Sequence, residues 1–388
     1  MPGNVFGNDC EFRAMLLYLM ITGISAVVLA AGGVIRGGVY MEPFTIKDVA
    51  RICGVGVSTV SRAINNHPDI NPQTRQRILE VIEQNGYIPN NSARNLKRTE
   101  SKTIAVLIRG ITNPFFQGMI KTIEQITERR RYGFLLQQVD EENDEVEAAL
   151  ELEKEKKPCG IVFLGGTASH KEDKVRQLKA PFVVCTITLG PDVRKELYSS
   201  VAIDDVLAGY EMTSYLISMG HRRIAMAAAR KDDAAIGRMR LEGYCKALAD
   251  HHIPVDPDLI LYAEKGEDAY SMANGYRAAS RFIQSGREAT AFLVISDNAA
   301  FGVCKAIRDA GKSVPGDYSV ASFDGIEMAS YYNPTLTTMK QPCEEMAAEA
   351  MNILLDRIDG FGQNEHRLFQ ARLTEGESVA GPGAGRAV

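Results

Sequence analysis

A stretch of nine residues, Val57 to Asn65, combines hydroxyl and guanidinium side chains at the spacing of an α-helix. The apolar residues Val60 and Ile64 fall on one face. The opposite face carries Ser58, Thr59, Ser61 and Arg62. Such donors suit the phosphate oxygens and base edges of nucleic acid, where a guanidinium pairs well with guanine. We therefore expect this helix to contact DNA, and a helical hairpin without any nucleic-acid role is the alternative.

The formal net charge of −5 hides a division between two parts of the chain. Residues 41–102 carry nine basic and six acidic side chains, whereas residues 103–388 carry 33 basic and 41 acidic ones. A basic head on an acidic body favours a polyanionic partner for the head alone.

A second set of candidate residues directly follows predicted strands in the acidic body. These residues are Asn113, Phe115, Phe116, Asp204, Asp297 and Asp324. Ligands of parallel α/β sheets bind beyond the carboxyl ends of the strands, so this set predicts a binding cleft. No glycine-rich phosphate loop and no nucleophile–base arrangement is evident, and we expect neither an enzyme nor a cofactor. The seven cysteines include no Cys-x-x-Cys pair, which argues against a metal site and predicts reduced thiols in the cytosol.

Predicted helices on either side position the basic stretch. Thr45 and Asp48 form the start signal of a first helix, and Gly54-Val55-Gly56 makes a short turn before the second. Asn71-Pro72 begins a third helix that ends at Gly86. Three short helices with a tight turn between the first two predict a helix-turn-helix domain over residues 41–89.

Residues 103–375 alternate strand-like apolar runs with helical stretches, which predicts a doubly wound α/β architecture in two lobes. The predicted strands cover 103–108, 133–139, 160–165, 182–185, 199–203, 223–228, 291–296, 318–323 and 336–339. Helices are expected near 114–131, 143–156, 205–219, 236–251, 271–285, 298–310 and 342–358. The glycine-containing residues 376–388 are expected to form a disordered tail.

The first forty residues contain an uncharged run, residues 14–35, that is long enough to span a bilayer as a helix. A signal peptide fits poorly, because only Arg13 lies just before the run and no clear cleavage site follows it. A second interpretation is that translation starts at Met41. Arg36-Gly37-Gly38 could then correspond to a purine-rich ribosome-binding site upstream of that start. We expect residues 1–40 to be such an extension, with a membrane segment as the alternative.

The run TIKDVARICGVGVSTVSRAIN, residues 45–65, resembles the DNA-binding head of the LacI/GalR family of bacterial transcription regulators. The following GYIPNNSARNLKR resembles the hinge of the same family, which we place at residues 90–102. Two residues depart from the family pattern: Cys53 stands where alanine is usual, and Gly56 replaces the serine that opens the second helix. Glycine is still an acceptable N-cap, although a phosphate contact of the serine would be lost.

The resemblance assigns a role to each matching position of the head. Val57, Ser58 and Arg62 would read base edges in the major groove. Thr45, Thr59, Ser61 and Asn65 would touch phosphates or hold the helix in register. Leu96 would wedge into the minor groove beside Ala93 and Arg94, because an apolar wedge permits a bent and better contacted duplex.

The acidic body also resembles this family, whose body has the two-lobed fold of periplasmic sugar-binding proteins. The segments NPFFQGMIKTIE, AIDD, GHRRIA, RLEGY, SDNAAFG, SVASFDG and LTTMKQP occur in family order. By position, Arg240 and Asp324 would clamp an effector, with an interlobe salt bridge as the alternative, and Ser296 would add a hydrogen bond. Phe115, Phe116 and Tyr270 would pack on a ring, or the two phenylalanines could be core residues. Asp204 and Gln341 would lie near the cleft, and Cys159 stands where aspartate is usual.

The resemblance implies a homodimeric transcription regulator, with a tetramer as the alternative, that is usually a repressor. It would bind a near-palindromic operator in the bacterial cytoplasm, at the nucleoid. A small-molecule effector, a sugar or sugar derivative, would bind between the lobes of residues 103–375. The competing hypothesis is a membrane-anchored solute-binding protein with residues 14–35 as its anchor. That scheme leaves the basic helix-turn-helix without a role.

Overall fold

A computed structural model describes residues 44–64, 67, 69–87, 101–140 and 143–383. The chain divides into two compact units, Met1–Asn91 and Ser92–Val388, which are described separately. Residues 1–40, nearly all of the expected hinge and the last five residues lie outside the described part. Across the described ranges, no helix is both long enough and apolar enough to cross a membrane.

The described part of the first unit contains the helices α1 (Ile46–Cys53), α2 (Val57–Ile64) and α3 (Pro72–Gln84). Thr45 and Asp48 form the expected capping box, and Gly54 ends α1 in the left-handed conformation with φ 63°. The side chain of Asn71 accepts hydrogen bonds from the amides of Gln73 and Thr74 and so caps α3. The three helices enclose a small apolar core. Its buried members are Val49, Ala50, Cys53, Val60, Ala63 and Ile78.

The first lobe of the second unit is built on a parallel sheet with the strand order β11-β5-β4-β3-β1-β2. Its strands are β1 (Thr103–Arg109), β2 (Gly133–Val139), β3 (Gly160–Leu164), β4 (Phe182–Cys185), β5 (Ser199–Ile203) and β11 (His366–Phe369). The helices α4 (Phe115–Arg129), α5 (Glu145–Lys156) and the short α6 (Glu172–Val175) connect the early strands. The central strands are buried along most of their length because helices cover both faces of a parallel sheet.

The second lobe is built on a sheet with the order β12-β10-β9-β8-β6-β7. Its strands are β6 (Ile224–Arg230), β7 (Ile260–Ala263), β8 (Ala291–Val294), β9 (Ser319–Asp324), β10 (Thr337–Lys340) and β12 (Arg372–Thr374). Only β12 runs antiparallel to its neighbour, β10. The helices of this lobe are α7 (Asp205–Ser218), α8 (Ile236–Asp250), α9 (Met272–Gln284) and α10 (Asp297–Asp309).

The chain passes between the two sheets three times, which joins the lobes into one unit. It crosses after β5, again between β10 and α11 (Cys343–Ile358), which packs on the first sheet, and finally between β11 and β12. The carboxyl ends of β1, β3 and β4 thereby face those of β6 and β9 across a cleft whose lining is described below. The two-lobed doubly wound fold expected from the sequence is confirmed.

Three strands were not predicted from the sequence. The prediction of a disordered tail over residues 376–388 is also wrong for its first residues. The strands β7, β11 and β12 have only three or four residues each. The side chains of β11 and β12 are half-buried or exposed, and β7 is a short apolar run, Ile260–Ala263, that the sequence analysis missed. Residues 376–380 pack on the second sheet: Ser378 is buried, its hydroxyl donates to the carbonyl of Val320 at 2.6 Å, and it accepts from the amide of Thr337 at 2.8 Å. These hydrogen bonds give the segment a fixed place that its composition does not predict.

Candidate DNA-binding surface and effector cleft

The second helix of the head presents polar side chains outward and apolar ones to the core. Val60 and Ala63 of α2 are buried, whereas Ser58 and Arg62 are exposed and Thr59 and Ser61 are half-buried. Val57 is also exposed, at 42%, although it is apolar. An apolar side chain held in solvent beside hydroxyl and guanidinium groups suits contact with a thymine methyl group. The helix begins at Val57, after Gly56, as expected.

Arg62 has an acidic neighbour in the loop after α2. Its Nη1 atom lies 3.2 Å from Oδ2 of Asp69, and His67 Nδ1 lies 2.5 Å from Oδ1 of the same carboxylate. All three side chains are about half exposed, so the arrangement orients the guanidinium without burying it. Such exposed ion pairs contribute little to stability, and a phosphate or a guanine can replace the carboxylate.

The remaining predicted DNA contacts are only partly described. The hydroxyl of Thr45 donates to Asp48 at 2.7 Å within the capping box of α1, and the residue remains exposed. Asn65, Ala93, Arg94 and Leu96 lie outside the described residues, so their predicted roles stay predictions.

In the second unit, a cavity of about 150 Å³ lies between the two lobes at the carboxyl ends of the strands. Six of the eight predicted effector residues line it. They are Phe115, Phe116, Arg240, Tyr270, Asp324 and Gln341. Phe115 and Phe116 begin α4 from the first lobe and contact each other edge to face, with ring centroids 5.3 Å apart. Both rings are nearly buried, so they serve as core residues and as the apolar wall of the cavity together.

Arg240 lies at the floor of the cavity and is 2% exposed. Its Nε donates to Oδ1 of Asp205 at 2.8 Å and its Nη1 donates to the carbonyl of Ile295 at 2.5 Å. The guanidinium also stacks over the ring of Phe323, with 4.5 Å between Cζ and the ring centroid. These partners fix its orientation, so that any remaining donors point in a set direction before a ligand arrives.

Asp324, at the end of β9, is the acidic partner of Arg240 in the cavity. Oδ1 of Asp324 lies 3.7 Å from Nη1 of Arg240 and accepts a hydrogen bond from the side-chain amide, Nε2, of Gln341 at 3.0 Å. Oδ2 is buried and makes no hydrogen bond of standard geometry among the described residues, although the nearby side chain of Asn113 acts to lower the pKa of the carboxyl. Burial raises the pKa of this carboxyl to about 7, although the guanidinium of Arg240 acts in the opposite direction. The side chain can therefore accept a hydrogen bond from a ligand hydroxyl, or donate one when protonated.

The backbone of Asp324 is strained, and a second buried carboxylate holds it. Its φ of 116° is unusual for a residue with a side chain. The carboxylate of Asp297, the first residue of α10, accepts from the amides of Gly325 and Ile326 at 2.8 and 2.9 Å. It also accepts from the hydroxyls of Ser322 and Thr338, both at 2.6 Å. Asp297 itself does not line the cavity; it fixes the turn that carries Asp324.

Two predicted effector residues, Asp204 and Ser296, do not line the cavity. The carboxylate of Asp204 caps α7 by accepting from the amide of Leu207 at 2.9 Å, and it is exposed. The hydroxyl of Ser296 caps α10 through the amide of Ala299 at 3.2 Å. Each therefore satisfies the start of a helix. The residue after Asp204, Asp205, is fully buried and turns toward Arg240 instead.

The cavity also contains polar residues that the sequence analysis did not select. Arg109 ends β1 and Thr186 directly follows β4, so the rule that selected Asn113 could have found both. Thr186 also has a positive φ of 78°, which marks strain at the cavity wall. Glu267 and Asp233 come from loops of the second lobe, and no sequence pattern marks them.

Each of the two units matches a family model. Residues 45–90 match the family model described as bacterial regulatory proteins, lacI family, and residues 213–379 match the periplasmic binding protein-like domain. The transcriptional regulator MalR of Clostridium butyricum is 38% identical to the chain over 335 residues, which cover 86% of this chain and 98% of MalR.

Two solved structures with bound sugars resemble the chain. A complex of the transcriptional regulator CelR with cellobiose is 27% identical, has a TM-score of 0.62, and covers 86% of this chain and 99% of its own. A regulator of the LacI family from Enterococcus faecium with bound ribose is 29% identical, also with a TM-score of 0.62. It covers 72% of this chain and 98% of its own.

Proposed function

The chain belongs to the lacI family of bacterial regulatory proteins, and on this premise we propose that a sugar bound in its interlobe cavity controls its affinity for an operator. The protein is a DNA-binding transcriptional regulator of this family. The observation that carries the effector proposal is the buried pair of Arg240 and Asp324, a guanidinium and a carboxylate that line the cavity together.

The chemistry of the cavity supports an uncharged polyhydroxy ligand. Guanidinium groups and carboxylates are nearly balanced among its described lining residues. The basic ones are Arg109, Arg230 and Arg240, and the acidic ones are Asp233, Glu267, Asp268 and Asp324. A phosphorylated ligand would need an excess of donors and positive charge, whereas vicinal hydroxyls use paired donors and paired acceptors. The bound cellobiose and ribose of the two related structures agree with this chemistry.

The DNA-binding surface would act as part of a homodimer. One helix-turn-helix head reads one half-site, and two heads related by a two-fold axis match a near-palindromic operator. We assign base contacts to Val57, Ser58 and Arg62 of α2, and backbone contacts to Thr45, Thr59, Ser61 and Asn65. Leu96, with Ala93 and Arg94, would complete the contact from the minor groove. Such a regulator acts in the bacterial cytoplasm, at the nucleoid, and it needs no catalytic activity.

The proposal is tested by titrating the purified chain with genomic fragments and then with sugars. We expect footprints on near-palindromic sites, at a stated salt concentration, and a change in operator affinity when one sugar of a panel is added. Allosteric coupling is reciprocal, so operator DNA must change the affinity for that sugar by the same factor. Equal sugar affinity with and without operator would remove the allosteric part of the proposal. A panel without any binding sugar would remove the effector class.

A further inference from the structure

A cluster of buried and half-buried charged side chains lies directly behind one wall of the effector cavity. It consists of Arg109 at the end of β1, Asp144 and Glu145 at the start of α5, and His170 before α6; we call it the wall cluster. The side chains of Glu145 and His170 are only 5% and 2% exposed. None of these residues belongs to the predicted effector clamp. Their burial in the charged form therefore needs a reason, because isolated buried charges are costly.

The carboxylate of Glu145 ties three parts of the cavity wall together. Its Oε2 accepts from Nη1 of Arg109 at 3.3 Å, and Arg109 lines the cavity. Its Oε1 accepts from the backbone amide of Thr167 at 2.5 Å, and Gly166 and Thr167 line the same wall. The same Oε1 lies 3.0 Å from Nε2 of His170. One carboxylate therefore fixes both a guanidinium and a main-chain turn at the cavity surface.

The backbone of the wall is shaped to admit this carboxylate. Gly166 has φ 122°, a conformation that residues with a side chain rarely adopt. A Cβ atom at Gly166 would overlap with Oε1 of Glu145. The turn at Gly166 and Thr167 therefore has the shape that the buried carboxylate of Glu145 requires, and the carboxylate in turn holds the turn in place.

We propose that Glu145 and His170 are positioning residues of the effector site, which hold Arg109 and the Gly166–Thr167 turn in the geometry that receives the sugar. This inference rests on the effector function proposed above. Arg109 is anchored to Glu145 on one side of its guanidinium and presents the group to the cavity from the first lobe. Arg240 and Asp324 lie across the cavity in the second lobe. The wall cluster therefore supplies the first lobe's polar side of the site.

The charges around His170 make this support dependent on pH. His170 faces Glu145 through Nε2, and its Nδ1 lies 3.5 Å from Oδ1 of Asp144. The other charged groups of the surrounding elements are Arg109, which pairs with Glu145, and Lys174, whose Nζ lies 3.5 Å from Asp144. Burial opposes the charged imidazole, but the hydrogen bond to Glu145 and the two carboxylates outweigh it and raise the pKa of His170.

The sign of the pH effect follows from that raised pKa. The contribution of the charged imidazole is fully present below the ordinary histidine pKa of about 6.5. It is lost as the pH rises through the higher pKa of the folded state. We therefore expect sugar affinity to fall over the same range, when the wall loses its central cation.

The test compares three variants of the full chain by titration calorimetry with cellobiose, ribose, glucose and galactose, in buffer with EDTA so that no bound cation replaces the proton. Glu145→Gln keeps the shape of the side chain but removes its charge. We expect about a ten-fold loss of affinity for the sugar that binds the wild type, because that is the scale of one weakened charge-assisted hydrogen bond. His170→Gln keeps a donor toward Glu145 but cannot titrate, so its affinity should fall less steeply with pH than that of the wild type, in which Asp324 also titrates in this range. Glu147→Gln is the matched control, because it changes an exposed residue on the same helix.

A second readout separates this inference from the effector proposal. The amide signal of Thr167 in nuclear magnetic resonance spectra of the ligand-free chain should shift in Glu145→Gln, and in the wild type it should titrate together with His170. If no sugar binds the wild type, the effector proposal fails, and this signal alone decides whether the wall is held as inferred. An unchanged Thr167 signal in Glu145→Gln overturns the inference. Wild-type sugar affinity in Glu145→Gln, or an unchanged pH slope in His170→Gln, overturns it as well.

Discussion

The pairing of Arg240 with Asp205 leads to a sharp prediction, because two adjacent aspartates lie in opposite environments. Asp205→Asn removes a fully buried negative charge 2.8 Å from the guanidinium of Arg240. Asp204→Asn changes an exposed N-cap to another good N-cap residue. The two variants make the same chemical change one residue apart, so their difference isolates the buried ion pair.

The expected magnitude follows from the partners that remain. Burial raises the pKa of Asp205 although Arg240 lies beside it, and breaking such a buried pair is costly mainly through the charge that is left unpaired. The cost of Asp205→Asn comes from the buried guanidinium that is left behind. Removing one partner of a buried pair typically costs about 3–5 kcal/mol. Because Asp324 stays 3.7 Å from Arg240, we expect the lower end, about 3 kcal/mol, and near zero for Asp204→Asn.

The assay is urea unfolding at neutral pH, followed by circular dichroism, together with sugar titration of the folded variants. A loss of about 3 kcal/mol should leave the chain folded in water, since domains commonly have 5–15 kcal/mol of stability. We also expect weaker sugar binding in Asp205→Asn, because Arg240 loses the partner that orients it. Equal unfolding free energies for the two variants would refute the reasoning, as would a larger loss in Asp204→Asn.

Three further predictions concern the DNA-binding surface and the pH dependence of the body. Arg62→Ala should weaken binding to the preferred operator by about 10- to 100-fold and relax the choice of base at one position. Competition binding with operator variants measures both effects, and an equal loss of affinity on all sequences would contradict base reading. Leu96→Ala should weaken operator binding while the unfolding and sugar affinity of the body stay unchanged, and unchanged operator affinity would exclude the wedge. Burial raises the pKa of Asp324 to about 7, so between about pH 4 and pH 7 the folded state holds a proton that the unfolded chain has released. The free energy of unfolding should therefore fall as the pH rises through this range, by up to about 1.4 kcal/mol per pH unit. Asp324→Asn should reduce this slope in urea titrations and leave the smaller contribution of Asp297, whose pKa burial raises to about 6. A slope as steep as that of the wild type would contradict the assignment.

Regular elements and the two-unit organisation could be predicted because their signals are local. The capping box at Thr45, the glycine turn before α2 and the Asn71-Pro72 start of α3 each depend on residues within four positions of one another. Buried strands such as β1, β3 and β4 are largely apolar runs, which a parallel sheet covered on both faces favours. The short strands β11 and β12 depend on partners far along the chain, and their own residues do not mark them.

The sequence by itself also determined which cavity residues follow strands, because the carboxyl ends of parallel strands meet in space. It placed Arg240, Asp324 and Gln341 in one site through the family resemblance, and they line one cavity. Only the tertiary structure decided between neighbours such as Asp204 and Asp205, since a rotation of about 100° per helical residue sends one to solvent and the next to the core. Only the fold, likewise, brings Glu145 and His170, 25 residues apart, behind the wall at Gly166. Contacts of this kind arise from the packing of separate βα units, which no local pattern of residues encodes.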